Sequence, residues 1–402
     1  MQLRSPLLAT SLALAIASLA ACSSTQPPAA SAAPAPVAAA PAPAAAPITQ
    51  SNAAQAASAA YDFDMDVFHP VVGRSGMVAS EQELASRIGL QILKSGGNAV
   101  DAAVAMGFAL AVALPNAGNI GGGGFMVVHD AKSGKNIALD FREVAPSKAT
   151  RDMYVGADGK VIDGKSLYTH YAVGVPGTVA GMEHALKKWG SLPLSTVIAP
   201  AAKLADKGFT VSETLAKILE QEKKNMGQWP ATQAIFWRNG EPLKRGDRLV
   251  QKDLAQSLRL IGQQGSKVFY EGSIARKIAA EMAPHAGALS LQDLKSYKVA
   301  EREPLRGTYR GYEIVTMPPP SSGGAHLIQI LNMMERWPMN QWGVNSAQSI
   351  HYMAESMKLA YADRAEYLGD PDFVSVPLKG LTSKRYACLL YTSDAADDSL
   401  RV

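Results

Sequence analysis

From Ser80 onward the chain runs through two hydrophobic rhythms. Leu84, Ile88 and Ile92 recur at helical spacing behind Ser80-Glu-Gln-Glu83, which predicts a helix opened by a Ser80–Glu83 capping box and stopped by Gly96-Gly97. Asn98 predicts the cap of a second helix, Ala99 to Leu114, apolar on nearly every side and therefore buried, with Pro115 ending it. Its one charge, Asp101, stands near the N-terminus, where the helix dipole favours an anion, and a structural role is expected for it.

The rhythm then changes. Phe125 to Val128 is a short apolar run, Ser133-Gly134 is a turn signal, and Asn136 to Phe141 is a return segment; together they predict a β-hairpin. Four glycines, Gly121 to Gly124, precede it, offering backbone freedom and close approach of another group. The return strand delivers Arg142 and Glu143 to its end, and the chemistry is expected there.

Beyond the hairpin, helical patterns dominate. Pro176 is expected at the first position of a helix closed by Lys187-Lys188 and Gly190. Further helices are expected over Leu194 to Asp206, Ser212 to Glu222, Gln251 to Gln263 and Ala275 to Met282, with a short one starting at Ser290-Leu-Gln-Asp293. A strand, Tyr309 to Met317, runs into Pro318-Pro-Pro320-Ser321-Ser322-Gly323-Gly324 and a helix from Ala325 to Arg336. Small residues at that helix N-terminus could seat an anion, although a rigid corner explains them equally well. Ser346 caps a long helix to Tyr367, whose end carries Asp363, Arg364 and Glu366; local charge pairing is expected of these rather than catalysis.

Composition narrows the function. A hydrophobic content of 47% is ample for a core, and a net charge of +4 without a Lys/Arg block gives nucleic-acid binding no support. Two cysteines, Cys22 and Cys388, exclude a disulfide framework, and the seven histidines show no pair at helical ligand spacing, so no metal is expected. Gly121 to Gly124 lead into a strand pattern with no Gly-Lys-Ser/Thr ending, which argues against a nucleotide site. The N-terminus predicts processing: Arg4, an apolar Leu7 to Ala20, then Leu19-Ala20-Ala21-Cys22, a lipoprotein-type signal over residues 1–21 with Cys22 as the lipidated residue. Ser23 after it fits retention at the outer membrane, on the periplasmic side. Residues 22–60, almost all Ala, Pro, Ser, Thr and Gln, read as a tether.

Several segments together resemble one family. Gly76-Met-Val-Ala-Ser80, Gly96-Gly-Asn98-Ala-Val-Asp101, Gly121-Gly-Gly-Gly-Phe125-Met126, Asp140-Phe-Arg142-Glu143, Pro176-Gly177-Thr-Val-Ala-Gly181, Met317-Pro-Pro-Pro-Ser-Ser-Gly-Gly324 and Tyr361-Ala-Asp-Arg364 through Pro371 stand in the order of the gamma-glutamyltranspeptidases (glutathione hydrolases). The resemblance covers residues 61–387. It implies an α+β fold of the N-terminal nucleophile hydrolase type, an αββα sandwich of which this chain holds the large-subunit half. It implies glutathione and other γ-glutamyl compounds as substrates, no cofactor, and a small subunit cut from the same precursor. It also implies that Arg142 grips the α-carboxylate of the donor. A planar guanidinium suits that role because it can make two parallel hydrogen bonds to a carboxylate.

The family pattern places the nucleophilic threonine beyond this chain, so no catalytic residue is expected within it; Thr392-Ser393 lacks the family's following histidine. Residues 388–402 resemble no family segment and read as translated adapter sequence. Without partner strands the chain is expected to leave unpaired edges and open apolar faces, and to be inactive alone. Two alternatives remain at this level: a related N-terminal nucleophile acylase, and a non-catalytic surface lipoprotein that binds glutamyl peptides through Arg142.

Overall fold

The computed structural model describes residues 72–397; Cys22, the signal and the tether lie outside the described residues. The first helix is Glu83–Lys94, but Ser80 does not cap it. Gln82 does, its Oε1 accepting from Leu84 N at 2.5 Å, while the Ser80 hydroxyl donates to the Gln82 carbonyl and meets the Ser86 hydroxyl. Two polar residues with one position between them can each serve a helix N-terminus, and the turn geometry selects between them.

The helix Ala99–Ala113 follows, opened by a capping box in which Asn98 and Asp101 satisfy each other's backbone amides. Asp101 is fully buried. Its carboxylate accepts from Asn98 N at 2.7 Å, Ser191 N at 2.9 Å, Ser191 Oγ at 2.6 Å and Leu192 N at 3.1 Å. The structural role expected of it holds, and it joins this helix to the end of Thr178–Trp189. Ala102, Val104, Ala105, Phe108, Ala109 and Val112 are wholly enclosed by Glu83–Lys94, Thr178–Trp189 and Leu194–Lys207. Leu194–Lys207 packs in turn on Lys252–Gln264. Burying a Val- or Phe-sized side chain such as Val104, Phe108 or Val112 contributes about 1.5–3 kcal/mol.

The predicted hairpin forms. Strands Phe125–Asp130 and Lys135–Asp140 pair antiparallel from Phe125 opposite Asp140 to Asp130 opposite Lys135, and Gly134 turns the corner at φ +67°. A third strand, Ala300–Arg302, pairs with the second, setting Ala300 opposite Asp140. The strand expected over Tyr309 to Met317 is half of another hairpin, Leu305–Tyr309 with Tyr312–Thr316. Its turn places Arg310 and Gly311 at positive φ.

That hairpin packs on the helix Gly323–Met334, which packs on the helix Ala347–Tyr367 capped by Ser346. One stripe of the long helix, Ile350, Met353, Met357 and Tyr361, stays exposed. The spacing is that of a single helix face. Among the described residues no helix is long and apolar enough to cross a membrane.

Candidate active-site pocket

The glycine run and the end of the return strand are locked together by backbone. Gly124 N donates to Phe141 O at 3.2 Å and Phe141 N returns the bond to Gly124 O at 3.1 Å, extending the ladder past the strand ends. The Gly122 carbonyl accepts from Gly177 N at 2.7 Å and Thr178 N at 3.1 Å, the free amides at the start of Thr178–Trp189. Asn119 secures the other side, its Oδ1 accepting from Gly122 N at 2.8 Å and Thr178 Oγ1 at 2.6 Å. The helix therefore starts at Thr178 with Gly177 as its cap, and Pro176 lies outside it. A Cβ on Gly123 would meet Phe141 O at 2.6 Å and Glu143 N at 2.7 Å, which is why this position carries no side chain. Gly121, by contrast, faces open space.

Arg142 emerges from this frame with its backbone held at both ends. Its N–H donates to Asp140 Oδ1 at 3.0 Å, and its carbonyl accepts from the Tyr297 hydroxyl at 2.9 Å. Burial, with Tyr270, Asp140 and Glu143 nearby, pushes the Tyr297 phenol far up, so it remains a donor. The other Asp140 oxygen accepts from Arg302 Nε at 2.8 Å, and Arg302 grips Asp372 bidentately at 2.9 and 2.7 Å. These contacts bind the turn after the long helix to the strand that carries Arg142.

The guanidinium itself is exposed. Its Nη1 donates to the Pro320 carbonyl at 3.3 Å, and among the described residues it makes no ion pair; the pairing with Glu143 that would have made it structural is not formed. It borders a cavity of 640 Å³ with Gly123, Gly124, Glu143, Ser321, Ser322 and Arg364. The Pro-Pro-Ser-Ser segment, with a cis bond between Pro319 and Pro320, forms the facing wall and leads into Gly323–Met334.

The charges at the end of the long helix do not pair with one another as expected. Asp363 turns inward and is buried, accepting from Gln329 Nε2 and, at 2.9 Å, from the Tyr386 hydroxyl. Arg364 turns outward to the cavity, its Nε donating to Ser322 Oγ at 3.2 Å. Beside it lies His326, buried and with Nε2 lacking a partner among the described residues; burial and then the charge of Arg364 push its imidazole down. Sequence reasoning left Arg364 out of the site because its neighbours offered a local explanation. The serine-rich helix start was the one signal that it had a target 42 residues away.

The cavity thus presents two guanidinium groups, two hydroxyls and a carboxylate at a helix start, a set suited to a small zwitterion with a carboxylate. The family model for gamma-glutamyltranspeptidase matches residues 85–393. The chain is 52% identical over 336 residues to the glutathione hydrolase proenzyme of Escherichia coli (strain K12), covering 83% of this chain and 58% of that protein. It is 41% identical over 324 residues to the acylase ACY 1 proenzyme of Pseudomonas sp. (strain V22), covering 79% of this chain and 58% of that one. The chain thus spans little more than half the length of these relatives. Among solved structures, Helicobacter pylori gamma-glutamyltranspeptidase superposes with a TM-score of 0.79 at 47% identity, over 81% of this chain and 93% of that one. The fold is accordingly the α+β architecture of the N-terminal nucleophile hydrolases. The chain belongs to the gamma-glutamyltranspeptidase family.

Proposed function

We propose that this chain binds the γ-glutamyl group of a donor such as glutathione, with Arg142 holding the α-carboxylate. It would serve a γ-glutamyltransferase and glutathione hydrolase whose threonine nucleophile comes from a second segment of the same precursor. In that reaction the threonine Oγ attacks the γ-carbonyl while its own α-amino group takes the proton. The proton then passes to the leaving amine, a γ-glutamyl ester remains on the threonine, and water or an acceptor amine releases it. Arg142 contributes orientation, fixing the α-carboxylate end so that the γ-carbonyl is presented in one pose.

The observation that carries this reading is the Arg142 guanidinium, which makes no ion pair among the described residues and is held by its backbone contacts at the mouth of a polar cavity. The exposed stripe Ile350, Met353, Met357 and Tyr361 supports a second polypeptide segment docking beside it. Attachment through Cys22 to the periplasmic face of the outer membrane belongs to the same proposal, resting on the signal-like N-terminus.

In a precursor carrying this chain together with the threonine-bearing segment, Arg142→Ala lowers kcat/KM for a γ-glutamyl anilide by about 30–150-fold. That corresponds to roughly 2–3 kcal/mol for a charged hydrogen-bonding group. An unchanged kcat/KM removes Arg142 from substrate binding. A second reading, an acylase on the same fold, is supported by the resemblance to ACY 1. Turnover of acylated β-lactams in preference to γ-glutamyl anilides would establish it.

A further inference from the structure

His170, Glu281 and His285 come from two segments that nothing in the sequence links. His170 begins the 3-10 turn His170–Ala172. Glu281 lies at the end of the helix Ser273–Met282, and His285 closes the 3-10 turn Ala283–His285 that continues it. Four residues apart on a helical path, Glu281 and His285 project to the same side.

The tertiary structure brings His170 onto them. Its Nε2 lies 3.3 Å from Glu281 Oε1, and His285 Nε2 lies 3.5 Å from that same oxygen. The two imidazoles stack with centroids 4.1 Å apart and 13° between planes, and Trp229 meets His170 edge-on at 4.9 Å. All three donor atoms lie within 4.8 Å of one another, on the wall of a separate 560 Å³ cavity that also includes Thr169, Pro230 and Met282.

Two of these separations match a tetrahedral ion. Bonds of about 2.0–2.1 Å to nitrogen and oxygen place ligand atoms about 3.3 Å apart. Two of the three edges already have that length. The third closes when His285 turns out of its stack on His170, because near-parallel rings cannot both aim a nitrogen lone pair at one ion; His285 and Glu281, with side chains 42% and 62% exposed, have room to turn against His170, which is 13% exposed. Two imidazole nitrogens and one carboxylate oxygen suit Zn²⁺ and its neighbours better than Ca²⁺ or Mg²⁺.

We propose that His170, Glu281 and His285 form a Zn²⁺ site with a fourth position open to the cavity. The ion ties the His170–Ala172 turn to the Ser273–Met282 helix. From His170 the chain runs directly to Val175, whose backbone pairs with Val144, two residues beyond Arg142. The clamp therefore steadies the segment beside the cavity wall without joining the reaction.

The test is Zn²⁺ uptake by the full chain, measured in competition with a chromophoric chelator, for the wild type, Glu281→Gln and His285→Ala. One Zn²⁺ per chain with micromolar affinity is expected, weakened at least about tenfold in each variant. Both substitutions lie on the exposed side, so the metal-free melting temperature stays at the wild-type value while the Zn²⁺-induced rise is lost. Co²⁺ in the wild type, which needs no variant, should give tetrahedral d–d bands with no thiolate charge-transfer band. Lack of uptake at about 100 µM Zn²⁺, far above a micromolar dissociation constant, overturns the proposal. So does uptake unchanged in the His170→Ala/His285→Ala double variant, or a thiolate band assigning the ion to cysteine.

Discussion

Arg302 and Asp140 form an ion pair, its carboxylate buried and its guanidinium partly exposed, whose second function is to hold another arginine in place. One Asp140 oxygen takes Arg302 Nε at 2.8 Å; the other takes the backbone N–H of Arg142 at 3.0 Å. Asp140 thereby converts a contact with the third strand into a fixed exit direction for the cavity guanidinium.

Arg302→Met should therefore cost more than a surface charge would. Removing Arg302 leaves the buried Asp140 carboxylate with the Arg142 N–H as its remaining partner here, a loss worth about 1–3 kcal/mol, and frees Asp372 and its turn from the sheet. Urea unfolding of the variant measures the loss. A difference below about 1 kcal/mol would show that Asp140 is satisfied without Arg302.

Two glycines in the same neighbourhood should respond oppositely to alanine. At Gly177 a Cβ would fall within the Phe141 carbonyl oxygen and the Tyr297 hydroxyl, and Tyr297 is what holds the Arg142 carbonyl. Gly177→Ala is expected to destabilise by about 1–3 kcal/mol through overpacking. Gly121 has open space and no positive φ, so Gly121→Ala should change stability by no more than about 0.5–1 kcal/mol, in the stabilising direction. Equal losses at the two positions would contradict this account of the glycine run.

Asp293 predicts a stability change in acid. It is desolvated by burial, but hydrogen bonds from Ser290 and Ser147 outweigh that and bring its carboxyl down to about 2. A depressed folded-state value stabilises the fold above the unfolded value, near 3.9, and that contribution disappears as pH falls through the folded one. The stability gap between wild type and Asp293→Asn should thus be full at pH 5 and shrink between about pH 4 and pH 2. Urea midpoints across that range test it; a pH-independent gap would assign the shortfall to shape rather than charge.

Much of the scaffold was legible because its causes are local. The hairpin follows from an apolar run, a Ser133-Gly134 turn and a return segment, and the Asn98–Asp101 box follows from two residues three apart. Errors arose where two local solutions compete. Gln82 displaced Ser80 as a cap, and Pro176 fell outside its helix because Gly177 and Thr178 use their amides on Gly122. The reading of Asp363 and Arg364 as a surface charge pair failed for the same reason: a helix sends adjacent residues to different faces, and only packing tells which is inside.

By itself, then, the sequence determined the α+β layout, the buried Ala-rich helix, the glycine-led hairpin and the placing of Arg142 at a strand end. These depend on periodicity and turn chemistry within a few residues. Only the tertiary structure decided that Arg142 and Arg364 share a cavity with Ser321 and Ser322, that Arg302 braces Asp140, and that His170 meets Glu281 and His285. Those meetings join residues from 42 positions apart, for Ser322 and Arg364, to 222 apart, for Arg142 and Arg364, and neither periodicity nor propensity reaches so far. They exist because burying the apolar faces of the helices and the sheet leaves the polar side chains at their ends few other places to go.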